Sequence, residues 1–233
     1  MEVRVDPGGR LELHSQSLLM LIVDAFDLSF WQITGTEKKW FSTDSFNIEG
    51  LPPDDVRKRI TGGEYAWYGL ANADERAMLQ SLLIERFHLK YHMEKGLGTV
   101  YLLQRDNRPL NLRAVETHLY AQVQDGSAKS SDPYPTGDIA MVSGKPLGFT
   151  KTSMTQLART LSDARQAPVI DKTGLPGFYD FESKTVVTDE DFKNGGLAHL
   201  LPEAIPEMGL KLVKTQGEVE KLVIDNAELP SAN

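Results

Sequence analysis

The stretches FHLKYHMEKGLGTVYLLQ (87–104) and MGLKLVKTQGEVEKLVID (208–225) align over their whole length without a gap. Leu89 meets Leu210, Lys90 meets Lys211, Gly96 meets Gly217, and Tyr101-Leu102-Leu103 meets Leu222-Val223-Ile224. Each reads as two strands turned by glycine: His88–Lys95 and Thr99–Gln104 through Gly96 and Gly98, then Gly209–Lys214 and Glu218–Asp225 through Gly217. A long helical pattern precedes each. Ala73–Phe87 carries Met78, Leu79, Leu82, Leu83 and Phe87 on one stripe, and Leu197–Met208 has Pro202 and Pro206 within it.

Further toward the N-terminus the match continues. Phe46-Asn47-Ile48-Glu49 resembles Tyr179-Asp180-Phe181-Glu182, and Ser17–Ala25 has the apolar spacing of Ser153–Leu161. Ser17 and Ser153 each stand where a hydroxyl can cap a helix. Three matches in one order predict an internal duplication. The expected fold is α+β, in two related halves, each an antiparallel sheet with helices on one face. The expected boundaries are 1–108 for the first half and 140–233 for the second. Residues 109–139 read as a flexible linker or long loop, because Asp125–Pro133 is rich in small, polar and turn-forming residues.

The totals narrow the chemistry. The 233-residue chain carries a net charge of −8, which argues against a nucleic-acid partner. It has no cysteine, so disulfides, thiolate zinc sites and cysteine nucleophiles are excluded. No stretch approaches the roughly 20 apolar residues of a membrane span. The first residues lack the basic start and apolar run of a signal peptide. No nucleotide or flavin motif is present.

Several stretches together resemble a known family. They are PGGRLELHSQSLLMLIVDAF (7–26), QITGTEKKWFSTDSFNIEG (32–50), MLQSLLIERFHLKYHME (78–94), PVIDKTGLPGFYDF (168–181) and the ending MGLKLVKTQGEVEKLVIDNAELPSAN (208–233). The resemblance is to an uncharacterised domain of unknown function found mostly in Acidobacteria. Its members usually carry a signal peptide before the PGGR turn. The resemblance therefore implies an extracytoplasmic setting. It also implies hydrolysis of N-acyl-homoserine lactones, with calcium as a possible cofactor.

The residues themselves offer few sites. Asp171-Lys172, in the loop Asp171-Lys172-Thr173-Gly174, is the best catalytic candidate. The Asp could activate water and the Lys could stabilise an oxyanion. The plainer reading is a turn, with Asp folding back on its own backbone and Gly174 at positive φ. Gln32-Ile33-Thr34-Gly35 reads as the matching turn of the first half, without the Asp-Lys pair. Asp189, Glu190 and Asp191 could hold calcium through their carboxylates, or simply open a helix. Trp31, Trp40, Tyr65 and Trp67 could line a substrate cleft, or pack the core. Ser143 lacks the nucleophile-elbow glycines and reads as a turn residue. His88 and His92 share a strand face about 13 Å apart, too far to chelate one ion. Two functions follow. One is a lactone hydrolase, with water activated by a carboxylate or bound calcium. The other is a non-catalytic ligand- or protein-binding domain, using the aromatics or exposed strand edges.

Overall fold

The computed structural model describes residues 2–5, 11–51, 54, 73–115 and 139–230. Most of the expected linker, 116–138, lies outside the described residues, as do Tyr65 and Trp67. The fold is mixed α+β, with several sheets and helices. The chain divides into two compact units, Met1–Lys95 with Glu220–Asn233, and Gly96–Val219. No helix among the described residues is long and apolar enough to cross a membrane.

The first unit begins with β1 (Glu2–Val5), β2 (Leu11–Gln16) and α1 (Leu18–Phe26). Ser17 caps α1, its Oγ accepting from Met20 N at 3.3 Å. Leu18, Leu21, Ile22 and Ala25 are buried, at the spacing read from sequence. A 3-10 turn at Phe30–Gln32 leads into β3 (Ile33–Thr34). Then follow α2 (Trp40–Thr43), β4 (Phe46–Gly50) and α3 (Ala73–Arg86). Strands order β1-β2-β4, all antiparallel. Leu18, Leu21, Ile22, Phe41, Leu83 and Leu222 centre the core. Full burial of each such aliphatic side chain stabilises by about 1.5–3 kcal/mol.

The next strand, β5 (Lys90–Arg105), passes from the first unit into the second. The second unit continues with β6 (Arg113–Val115), β7 (Ile139–Ala140), β8 (Pro146–Ser153) and α4 (Met154–Arg165). After them come β9 (Val169–Asp171), β10 (Phe178–Val186), α5 (Asp189–Lys193) and α6 (Leu197–Ala204). The sheet order β6-β10-β8-β7 is antiparallel. Its core gathers Leu147, Met154, Leu157, Leu161, Leu201 and Met208. The expected helix over 197–208 is α6 followed by a 3-10 turn, Ile205–Met208, with Pro206 in its first positions. In that place its missing N–H loses no helical bond, while Pro202 is accommodated within α6. The last strand, β11 (Leu210–Asn226), returns the chain to the first unit.

Here the structure corrects the opening reading. β5 and β11 are each one unbroken strand, of 16 and 17 residues, and not a turned pair. Gly96, Gly98 and Gly217 have no positive φ. Two of them mark close approach. A Cβ on Gly98 would lie 2.8 Å from Val219 Cγ2, and one on Gly217 would lie 3.0 Å from Val100 Cγ2. A strand glycine can signal a neighbouring chain as well as a turn. Nor is every pairing antiparallel. In the first unit β3 runs parallel to β11, with Leu222 opposite Ile33 and Val223 opposite Thr34. In the second, β9 runs parallel to β5, with Tyr101 opposite Val169 and Leu103 opposite Asp171.

One local geometry occurs in both units. Gln16 pairs with Phe46 and Leu13 with Ile48, across a register shift. Thr152 pairs with Tyr179 and Phe149 with Phe181, across the same shift. At the irregular position Ser15 has φ 55 and Lys151 has φ 50. Ser15 N donates to Asn47 Oδ1 at 3.0 Å, and Lys151 N donates to Asp180 Oδ1 at 2.8 Å. In each case a short polar side chain satisfies a backbone N–H that the bulge takes out of the ladder.

Candidate functional site

The strand β9, from which the loop leaves, is held at both ends. Tyr101 N donates to Pro168 O and Lys172 N donates to Leu103 O, each at 2.8 Å. Asp171 is half-buried, and its Oδ1 accepts from both Thr173 N and Thr173 Oγ1 at 2.8 Å. Thr173 is buried, and its Oγ1 in turn accepts from Leu175 N at 3.2 Å. These bonds make a side-chain-stabilised turn, with Gly174 at φ 66. Tyr179, just beyond, donates its hydroxyl to Pro176 O at 2.9 Å. The Lys172 side chain is exposed. Asp171 is therefore bonded to Thr173, its own neighbour, as the turn reading requires.

The match of Thr34-Gly35 with Thr173-Gly174 does not survive the strand register. Leu222 corresponds to Tyr101 in the aligned stretches, and their partners are Ile33 and Val169. Thr34 thus corresponds to Ile170, three positions before Thr173. Gly35 also sits against the Ile224 backbone, whereas none of the described residues comes within 4 Å of a Cβ on Gly174.

Asp189, Glu190 and Asp191 form the first turn of α5, where acids meet the positive end of the helix. Asp191 completes a capping box. Its Oδ2 accepts from Thr188 N and Oγ1 at 2.7 Å, and its own N donates to Thr188 Oγ1 at 3.3 Å. The bond from the Thr188 hydroxyl, followed by that from its backbone N–H, holds the Asp191 carboxyl below the usual aspartate value. Asp189 Oδ1 accepts from Ser143 Oγ at 2.6 Å, which ties the turn containing Ser143 to α5. Among the described residues, no group of three or more His, Asp or Glu side chains is arranged to hold a metal ion.

The aromatic candidates lie in the first unit. Trp40 packs edge-on against Phe41, centroids 4.6 Å apart, and Phe46 at 6.4 Å, beside the core. Trp31 is half-buried, and its indole N–H has no acceptor among the described residues.

Sequence reasoning missed a polar cluster on β5 and β11. His92 Nδ1 lies 3.0 and 3.1 Å from the two Asp225 carboxylate oxygens, and Nε2 lies 3.4 Å from Glu94 Oε1. His92 and Asp225 are distant in sequence and meet because β5 and β11 are neighbouring strands. His88 stands apart, exposed and at φ 49 just before β5. The hydrogen bond to Asp225, then that to Glu94, raises the His92 pKa. The sign follows: the bonds favour the charged ring. Their contribution is fully present below the free histidine value of about 6.5 and is lost as pH rises through the raised pKa. An NMR titration is expected to place His92 above a free histidine, and Asp225→Asn to bring it back down. An unchanged midpoint in Asp225→Asn would show that the pair does not set it.

No curated protein and no solved structure matches the chain. A family model described as protein of unknown function (DUF3738) matches residues 19–227, nearly the whole chain. That span includes the second unit's core, all but Leu13 and Leu18 of the first unit's, the 168–181 loop and the capped acidic turn, and the chain belongs to this family.

Proposed function

We propose that the chain is a non-catalytic ligand- or protein-binding domain, whose two halves descend from one duplicated α+β unit. The binding reading is carried by the use made of the acidic side chains. Asp171 takes both bonds from Thr173, Asp191 closes a capping box, and Asp189 accepts from Ser143. A general base must reach the proton it removes with a free lone pair. Each of these carboxylates is instead committed through one oxygen to a turn, Asp171 and Asp191 to their own and Asp189 to the one containing Ser143. The duplication is supported by the shared register and by the Asn47 and Asp180 bonds at equivalent bulges.

One observation favours the hydrolase reading. Asp171 uses only Oδ1 in its turn; Oδ2 takes no hydrogen bond among the described residues, and the exposed Lys172 is its neighbour. In that reading Asp171 takes a proton from water as base, or holds calcium. The water attacks the lactone carbonyl of an N-acyl-homoserine lactone, the ring C–O bond breaks, and the released alkoxide is protonated. Lys172 stabilises the oxyanion. Any calcium would be sought at Asp189, Glu190 and Asp191.

A ring-opening assay with and without chelator decides between them. The binding reading expects no turnover from folded protein under either condition. Turnover that disappears in Asp171→Asn, with the fold kept, would replace it with the hydrolase reading.

A further inference from the structure

We propose that Asn194 is a self-modifying site: the folded chain converts its side-chain amide to a carboxylate, through a cyclic imide closed by the backbone nitrogen of Gly195. Asn194-Gly195 is the one Asn-Gly pair in the sequence. It lies in the turn between α5 and α6, and both residues are exposed. The neighbouring backbone N–H groups are engaged. Asn194 N donates to Glu190 O at 3.0 Å, and Gly196 N donates to Asp191 O at 2.8 Å. Neither the Gly195 N–H nor the Asn194 side chain makes a hydrogen bond among the described residues. The nucleophile and the amide it attacks are therefore adjacent, wet and uncommitted.

The reaction balances with water alone. The Gly195 nitrogen gives its proton to solvent base and attacks Asn194 Cγ. The new N–Cγ bond closes a five-membered imide, the Cγ–Nδ2 bond breaks, and Nδ2 takes up a proton and leaves as ammonia. Water then opens the imide at either carbonyl. Opening at Cγ leaves aspartate; opening at the main-chain carbonyl leaves isoaspartate, with the chain rerouted through the side chain. A Cβ on the following residue would crowd the attack, and Gly195 has none. Among the described residues, only His199 Cβ, at 3.7 Å, comes within 4 Å of a Cβ built there. Asn194 rests at φ −89 and ψ 20, so closure requires ψ to turn. Gly195, at φ 105, absorbs the compensating rotation, because glycine takes either sign of φ. One bond has to open, from Gly196 N to Asp191 O. The product carboxylate stands at the C-terminal end of α5, three and four residues after Asp191 and Glu190, where a negative charge is disfavoured.

The full chain is held in warm, mildly alkaline buffer, native and in denaturant, and its peptides are mapped by mass spectrometry over time. In native buffer the amide-to-acid mass gain is expected at Asn194 severalfold faster than at Asn107, Asn111 and Asn226, which precede Arg108, Leu112 and Ala227. Isoaspartate should accompany aspartate in the product. Gly195→Ala should slow the conversion severalfold. An alanine at φ 105 strains the fold, so that variant is compared with the native sequence in denaturant, where folding does not enter. An Asn194 amide that persists in native buffer overturns the proposal, whatever happens in denaturant. So does a product of aspartate alone, or a Gly195→Ala chain that converts as fast, since neither passes through the imide.

Discussion

Gly35→Ala is expected to destabilise the first unit by about 2–5 kcal/mol, read as a fall in the denaturation midpoint at unchanged slope. Two costs combine. Gly35 sits at φ +77, where an L side chain loses about 1–2 kcal/mol. Its new Cβ would also overlap Ile224 O, a backbone atom that cannot swing aside. Relieving that overlap means moving β11 off β3, with a cost of about 1–3 kcal/mol typical of overpacking. Gly174→Ala separates the two terms. Its φ is +66, but its Cβ would meet open space, so only the backbone cost of about 1–2 kcal/mol remains. Equal losses in the two variants would mean that contact with Ile224 contributes nothing.

The second large effect is loss of Glu220–Asn233, the late segment of the first unit. A chain ending at Val219 is expected to lose the first unit and keep the second. Removing Leu222 and Ile224 alone takes away about 1.5–3 kcal/mol each of burial. The parallel ladder to β3 and the bonds from Gln32, Lys38 and Glu228 go with them. That is a large share of the roughly 5–15 kcal/mol by which whole domains are stable. The second unit is contiguous and carries its own core, from Leu103 to Leu210. Hydrogen exchange should then show rapid exchange at Leu21, Ile22 and Leu83, with protection kept at Leu157 and Leu201. Protection retained in both groups would show that the first unit closes without its last strand.

How far the sequence could be read depended on whether its signals were local. Ser17 and Ser153 announce α1 and α4 because a cap and an apolar stripe are both short-range features. The turn at Asp171 was legible for the same reason, since Asp171 and Thr173 satisfy each other and Gly174 supplies the positive φ, all within four residues. Gly98 and Gly217 were misread because a missing side chain looks the same at a turn and at a close crossing. Only the neighbours Val219 and Val100 tell the two apart. The parallel partners of β3 and β9 were not legible, because nothing in two or three residues names a strand far away. His92 gave no sign either; its chemistry comes from Asp225, across the sheet. The acids at 189–191 carried the right cue for a helix start, and the Thr188 cap supplies the reason for Asp191.

The interrupted first unit also sets a schedule. A ribosome delivers residues 1–95 early, but the strand that completes their core emerges only after the whole second unit has been made. At about 5–20 residues per second, the wait is on the order of 10 s. Throughout that interval the apolar faces of α1 and α3 lack Leu222, Ile224 and Ala227 to cover them. The first unit is begun before the second and completed after it, which lengthens the interval in which a nascent chain's exposed apolar surface can aggregate.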